Sequence, residues 1–112
     1  MKIAIIGSRS ILSFNIGLYI PESCTEIVSG GAKGVDSHAA LFAKERGIKL
    51  TEFLPDYEKY GRAAPIVRNK EIVNYADMVI AFWDGKSRGT NFVINYCKKA
   101  NKPCKIIYKK EG

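Results

Sequence analysis

Residues 25–46 have the sequence TEIVSGGAKGVDSHAALFAKER, which predicts a strand, a glycine-rich turn and a helix in direct succession. The strand is the short apolar run at residues 25–29. The helix is the small-residue stretch at residues 36–46, which Gly47 ends as a C-terminal glycine. A strand that leads through a tight turn into a helix is the first half of a β–α–β crossover, which joins parallel strands. The segment therefore predicts an α/β fold.

The same alternation continues toward both ends of the chain. Apolar runs predict four more strands, at residues 2–6, 48–54, 77–82 and 104–108. Apolar residues at helical spacing predict helices at residues 11–19, around residues 66–76 and at residues 92–100, and residues 56–62 are predicted to form a polar, aromatic loop. No repeat or internal boundary interrupts the pattern, so we expect residues 1–112 to form one domain.

Alternating strands and helices predict a three-layer, Rossmann-like α/β domain, with a five-stranded parallel sheet in the order 3-2-1-4-5 and helices on both faces. The switch point of such a sheet lies between the first and fourth strands, and ligands bind near it, outside the carboxyl ends of the strands. Glycine-containing or charged turns follow the first, second and fourth predicted strands. We therefore expect these three turns to converge on one ligand site.

The composition is that of an ordinary soluble domain, with 46% hydrophobic and 26% charged residues. No apolar run approaches the roughly 20 residues of a membrane helix, and the first residues predict a strand and not a signal peptide. We therefore expect a cytoplasmic protein with no membrane partner. The three cysteines and the single histidine lack the spacing of a metal site, so we expect no metal and no required cofactor.

The formal net charge of +7 points to an anionic partner. Many of the lysines lie near the end of the chain, where they suit the last turn of a helix and an edge strand as well as a nucleic acid. More informative are the positive residues beside predicted turns or helix starts, which are Arg9, Lys33, Arg68, Lys86 and Arg88.

The turn at residues 29–34, SGGAKG, predicts a phosphate site; the alternative is that its glycines only allow a tight turn and close helix–sheet packing. Its glycines let backbone N–H groups approach an anion, and the N-terminus of the following helix adds a favourable dipole. Asp36, early in that helix, either caps it or accepts a hydrogen bond from a ligand hydroxyl. We expect His38 to fill the core.

Residues 83–90, WDGKSRGT, predict a second anion contact. Ser87, Gly89 and Thr90 place donors at the start of the last helix. Trp83 either stacks on a base or covers the edge of the core, and Asp84 can accept a hydrogen bond from a ribose hydroxyl. The segment lacks the leading glycine of a Walker P-loop, and the turn after the first strand lacks a dinucleotide fingerprint.

Two further features can contribute to the same site. Arg68, followed by Asn69, either holds a phosphate bidentately or forms a surface ion pair. Tyr57, Tyr60 and Gly61 lie in a loop that either closes over the ligand or packs on a neighbouring subunit.

Four segments together resemble the SLOG superfamily, and most closely its small YspA-like branch: residues 7–9 (GSR), residues 29–40 (SGGAKGVDSHAA), residues 68–69 (RN) and residues 81–90 (AFWDGKSRGT). Residues 29–40 are also similar to the matching segment of the DNA-processing protein DprA, and residues 85–90 to the phosphate-binding turn of the LOG (lysine decarboxylase-like) proteins. The resemblance implies a Rossmann-like domain that recognises nucleotides or nucleotide-derived signals.

The resemblance also implies roles for individual residues. Gly7, Ser8 and Arg9 would line the floor of the site, Gly30 and Gly31 would cradle a phosphate, and Gly89 and Thr90 would hold the same or a second phosphate. The LOG phosphoribohydrolases have a glutamate shortly after their Gly-Thr pair, whereas residues 91–95 here are NFVIN. The sequence therefore favours binding over catalysis.

We expect a module that binds or senses a nucleotide or a nucleotide-derived phosphate ligand, as a homodimer or larger homo-oligomer. One alternative is a nucleoside 5′-monophosphate N-glycosidase, similar to the phosphoribohydrolases, with Asp36 or Asp84 as its acid–base group. The other is a DprA-like binder of single-stranded DNA, which the positive charge would favour. The predicted ligand-binding residues are Gly7, Ser8, Arg9, Ser29, Gly30, Gly31, Lys33, Gly34, Arg68, Asn69, Trp83, Asp84, Ser87, Gly89 and Thr90.

Overall fold

The computed structural model describes residues 1–8, 11, 15–31 and 35–109, except for the side chain of Asp36. Within these residues the strands are β1 (Lys2–Gly7), β2 (Glu26–Ser29), β3 (Lys49–Glu52), β4 (Met78–Trp83) and β5 (Cys104–Tyr108). The α-helices are α1 (Val35–Arg46), α2 (Tyr57–Tyr60), α3 (Ala64–Tyr75) and α4 (Arg88–Lys99), and 3-10 helices span Ile16–Leu18 and Gly61–Ala63. No helix in the described part is long and apolar enough to cross a membrane.

All neighbouring strands are parallel, and the sheet has the order β3-β2-β1-β4-β5. The predicted α/β, Rossmann-like architecture and its strand order are therefore confirmed. β1 pairs with both β2 and β4, and each of β1 and β4 has four consecutive buried residues. Such continuous burial arises because both faces of a parallel sheet are covered by helices.

Helices pack on both faces of the sheet, and each face has its own apolar cluster. One cluster joins Ile3, Ile5 and Phe82 of the central strands to Val35 and other residues of α1. The second cluster joins the opposite faces of the same strands to α3 and α4, and its members include Ala4, Val28, Val79, Ile72, Val73, Val93 and Cys97. The alternation of the two clusters along β1 follows from the twofold side-chain period of a strand.

Capping residues explain where two predicted elements were wrong. Residues 56–62, predicted as a loop, contain α2 and the start of the second 3-10 helix. Asp56 caps α2, because its Oδ1 accepts a hydrogen bond from the Lys59 N–H at 3.1 Å, and Gly61 ends it with a φ of 56°. The last helix begins at Arg88 and not at residue 92, since Ser87 caps it.

Two helical predictions border residues outside the described part. Residues 12–14 belong to the helix predicted at residues 11–19, and the described remainder of that span contains only the short 3-10 helix Ile16–Leu18. Asn15 starts that turn by accepting a hydrogen bond from the Gly17 N–H at 3.2 Å. α1 begins at Val35, so Asp36 is its second residue; both interpretations of its side chain stay predictions.

Gly7 ends β1 at the point where α1 begins against it. A β-carbon placed on Gly7 would lie 2.5 Å from Val35 Cβ and 2.7 Å from Val35 Cγ1. Val35 is fully buried as the first residue of α1, so it has no room to withdraw. The absence of a side chain at Gly7 therefore allows the N-terminus of α1 to lie directly on the carboxyl end of β1.

Glu26 is a buried carboxylate at the opposite, amino edge of the sheet. Its Oε2 accepts hydrogen bonds from the Tyr75 hydroxyl at 2.6 Å and the Thr51 hydroxyl at 2.7 Å. Lys49 Nζ lies 3.8 Å from Oε1. These hydrogen bonds, the one from Tyr75 first, lower the pKa of Glu26 because they favour its charged form. The carboxylate of Glu26 therefore links β2 to β3 and α3.

Replacement of Gly7 by alanine should destabilise the protein by about 1–3 kcal/mol, because the new methyl group overlaps Val35. Urea unfolding measures the change. Gly89→Ala is the matched control: a β-carbon there meets no atom within 4 Å, and alanine in a helix stabilises it by up to about 1 kcal/mol. Equal stabilities of the two variants would contradict the close contact.

Removal of the Tyr75 hydroxyl should make stability less sensitive to acid. The pKa of Glu26 is lower in the folded than in the unfolded protein, so its contribution is present above about pH 4.3 and is lost as the pH falls through the folded pKa. Tyr75→Phe should therefore be destabilised most near pH 7, and the difference from the parent should shrink below about pH 4.

The control for that comparison is Tyr96→Phe, since the Tyr96 hydroxyl contacts Asn74 and not a carboxylate. The free energy of unfolding of Tyr96→Phe should differ from that of the parent by the same amount near pH 7 and below about pH 4. A pH-independent difference for Tyr75→Phe would show that the hydroxyl does not lower the pKa of Glu26.

Candidate functional site

The ends of β1 and β4 are joined through Ser8 at the carboxyl edge of the sheet. The Ser8 N–H donates to the Phe82 carbonyl at 3.0 Å, and the Asp84 N–H donates to Ser8 Oγ at 3.2 Å. Ser8 is only 1% exposed. The turns after β1 and β4 are therefore in direct contact at the predicted switch point, and Gly7, Ser8, Trp83 and Asp84 lie together there.

Arg68 connects α3 to the glycine turn after β2. Its Nη1 donates to the Gly30 carbonyl at 2.9 Å, and its Nε donates to Asn69 Oδ1 at 2.9 Å. The structure thus brings Arg68 to the turn at Ser29–Gly31, with Asn69 beside it; contact of either side chain with a phosphate stays a prediction. Arg68 also supports the structure, since two of its N–H groups donate hydrogen bonds to oxygen atoms of the protein.

The glycine turn itself is tightly bent. Gly31 has a φ of 69°, a value that glycine adopts without strain, and its N–H donates to Ser29 Oγ at 3.2 Å. A β-carbon on Gly31 would lie 2.6 Å from Leu54 Cδ2 and 3.2 Å from Glu52 Oε2. Glu52 therefore lies beside the glycine turn, although it is not among the predicted site residues. Its place near the end of the predicted strand at residues 48–54 was the available signal.

The turn after β4 is organised by Asp84 and Ser87. Asp84 Oδ1 accepts hydrogen bonds from the N–H groups of Lys86 and Ser87, both at 2.8 Å. Ser87 Oγ in turn accepts from the Thr90 N–H at 3.4 Å and so caps α4. This arrangement presents the first turn of α4 at the carboxyl edge, with open space around Gly89.

Trp83 packs within the protein at the end of β4. Its indole N–H donates to the Ser87 carbonyl at 3.0 Å, and its ring lies 5.5 Å from the ring of Tyr108 on β5. These contacts favour the interpretation in which Trp83 covers the edge of the core; stacking of a ligand base on this ring stays a prediction.

The remaining predicted residues divide into three groups. Thr90 is buried, with 2% of its surface exposed, and its Oγ1 accepts from Ser87 Oγ at 3.3 Å. Tyr57 and Tyr60 are exposed on α2. Outside the described part lie Arg9, Lys33, Gly34 and the side chain of Asp36.

The cysteines lie away from the carboxyl edge. Cys24 and Cys97 are buried, as predicted, and burial raises the pKa of the Cys24 thiol. A hydrogen bond between the thiols of Cys97 and Cys104 raises the pKa of Cys97 and lowers that of Cys104. In the part of the chain that the structure describes, no group of three or more His, Cys, Asp or Glu side chains could hold a metal ion.

A cavity of about 480 Å³ lies beside α1. None of the glycine turns described above lines this cavity, so we place the candidate site at the carboxyl edge, where those turns lie. His38, predicted to fill the core, is partly exposed and lines this cavity, because α1 turns that position away from the sheet. The lining residues are Asn15, Ile16, Gly17, His38, Leu41, Phe42, Glu45 and Arg46.

A family model described as YAcAr, the YspA, cpYpsA-related SLOG family, matches residues 20–60. The matched stretch contains β2, α1, β3 and α2, together with the glycine turn. The match supports the SLOG superfamily and its YspA-like branch, which the sequence motifs predicted. No curated protein and no solved structure matches the chain significantly.

Replacement of Arg68 by glutamine should lower the free energy of unfolding by about 1–2 kcal/mol without any ligand, because the Gly30 carbonyl loses its donor. Arg62→Gln removes the same charge from an exposed position and should change stability by less than about 0.5 kcal/mol. Thermal and urea unfolding compare the two. If Arg68→Gln is as stable as Arg62→Gln, Arg68 does not support the turn.

Proposed function

We propose that this domain, assigned to the YspA-like branch of the SLOG superfamily, binds or senses a nucleotide or a nucleotide-derived phosphate ligand at the carboxyl edge of its sheet. The observation that carries the proposal is the contact of the turns after β1 and β4 through Ser8, beside the glycine turn after β2. Ligands of parallel α/β sheets bind at this switch point.

Two helix N-termini supply the electrostatic basis. α1 follows β2 and α4 follows β4, so both helices begin at the carboxyl edge, on opposite faces of the sheet. The first N–H groups of a helix have no acceptor within the helix, and the helix dipole makes that end favourable for an anion. A phosphate at this edge would accept hydrogen bonds from such groups.

The charged side chains beside α4 support the same assignment. Lys86 and Arg88 are exposed on either side of the capping Ser87, and Gly89 leaves open space at the helix start. Cations in this position would add Coulomb attraction to the hydrogen bonds of the backbone. Together these features fit a phosphate group better than a neutral ligand.

Binding without catalysis is the better supported function. Asp84, one of the acid–base candidates, uses its Oδ1 to hold the N–H groups of Lys86 and Ser87. A general acid or base must reach the reacting atom, and this carboxylate oxygen is instead part of the turn. Hydrolysis of the N-glycosidic bond is therefore treated as an alternative outcome of the binding experiment described below.

The variant Gly89→Asp provides the sharpest test. An aspartate in the first turn is favourable to the helix dipole and has space here, so the apo protein should stay folded, yet its charge should repel a phosphate. Thermal shift against nucleoside mono-, di- and triphosphates, ADP-ribose and an oligo(dT) strand should show stabilisation of the parent by a nucleotide. Gly89→Asp should weaken that binding at least about tenfold.

Asn95→Asp is the matched control, because it makes the same charge change at an exposed position far along α4. It should bind the nucleotide as the parent does. Substitutions at Gly31 or Thr90 are poorer tests, since the first would overlap Leu54 and the second lies in the core. Chromatography of each mixture detects released base; base release, or stabilisation by oligo(dT) alone, would replace the proposed function with a rival.

A further inference from the structure

We infer that Glu52 binds the ribose of the ligand through its 2′ and 3′ hydroxyls, so that the site accepts ribonucleotides in preference to 2′-deoxyribonucleotides. The inference rests on the proposed function and names the class of ligand that the site takes.

Glu52 lies beside the glycine turn. In the parallel register of β2 and β3, Ser29 pairs with Glu52, so both strands end at the same level. The Phe53 N–H donates to the Ser29 carbonyl at 2.9 Å, which keeps the chain after β3 against the turn. The 3.2 Å from Glu52 Oε2 to a β-carbon position on Gly31 shows that the carboxylate reaches the turn itself.

The carboxylate of Glu52 does not hold other parts of the protein together among residues 1–8, 11, 15–31 and 35–109. Within that part of the chain Glu52 is exposed and makes no side-chain hydrogen bond or ion pair. The contrast is Glu26 at the other end of the same strand pair, which holds two hydroxyls and a lysine. Acceptor oxygens at Glu52 are therefore available to a molecule that enters the site.

A carboxylate favours a partner that donates hydrogen bonds and carries no negative charge. Its two oxygens accept hydrogen bonds from the two adjacent hydroxyls of a ribose, and its charge repels a phosphate. In dinucleotide-binding folds an acidic residue about 20 residues after the glycine turn binds a ribose hydroxyl in this way. Glu52 follows Gly31 by about 20 residues and ends the strand next to the one that carries the turn.

The surface beyond Glu52 suits the base of such a ligand. Leu54 is 66% exposed although its Cδ2 lies against the glycine turn. An apolar surface beside a ribose acceptor would shelter one face of a base, and the phosphate would then extend toward the helix N-termini near the switch point.

The test compares binding of ribonucleotides with that of their 2′-deoxy counterparts. The probes are AMP, GMP, CMP and UMP, each paired with its 2′-deoxy form, and calorimetric titration measures each Kd. The parent should bind its preferred ribonucleotide at least about tenfold more tightly than the deoxy form, since a hydrogen bond to a charged group is lost. Glu52→Gln should reduce that ratio to near one and leave the melting temperature of the apo protein unchanged.

Glu71→Gln is the control, because it removes one negative charge from an exposed position on α3. It should keep the preference of the parent. Equal binding of ribo and deoxy forms by the parent, or an unchanged preference in Glu52→Gln, would overturn the role of Glu52 and leave the proposed function standing. Failure of every nucleotide in the wider panel to bind the parent would overturn both.

Discussion

The buried hydrogen bonds of Ser8 hold the carboxyl edge of the sheet together. Its N–H reaches β4, its Oγ accepts from the turn after β4, and its carbonyl accepts from the Ile11 N–H at 3.1 Å. A side chain that is almost fully buried must satisfy its polar atoms within the protein, so this residue constrains both turns at once. The relative position of the turns after β1 and β4 depends on that constraint.

The two edges of the sheet use glutamate in opposite ways. At the amino edge Glu26 is buried, and its pKa is low because hydroxyl groups donate to it. At the carboxyl edge Glu52 is exposed, and its carboxylate lies close to Gly31 because that glycine has no side chain. Burial of a charge is costly unless the charge is paired, whereas an exposed charge is solvated by water and needs no partner within the protein. The stabilising glutamate and the glutamate proposed to bind a ligand therefore lie at opposite edges of the sheet.

Several polar side chains at the site support its shape. Arg68 holds the Gly30 carbonyl, Asp84 holds the N–H groups of its own turn, and Trp83 donates to the Ser87 carbonyl. These hydrogen bonds orient the glycine turn and the start of α4 before any ligand arrives. Because these groups are already ordered, the proposed binding of an anion would cost less conformational entropy.

The sequence by itself determined the order of the strands and the turns that meet at one edge, because apolar periodicity and glycine placement are local signals that act through topology rules. It did not determine which polar residues of those turns serve the protein and which remain for a ligand. Arg68 and Gly30 are 38 positions apart, and Glu52 meets Gly31 only through the register of β2 and β3. Only the tertiary structure decided these contacts, since a hydrogen bond between distant residues leaves no period in the sequence.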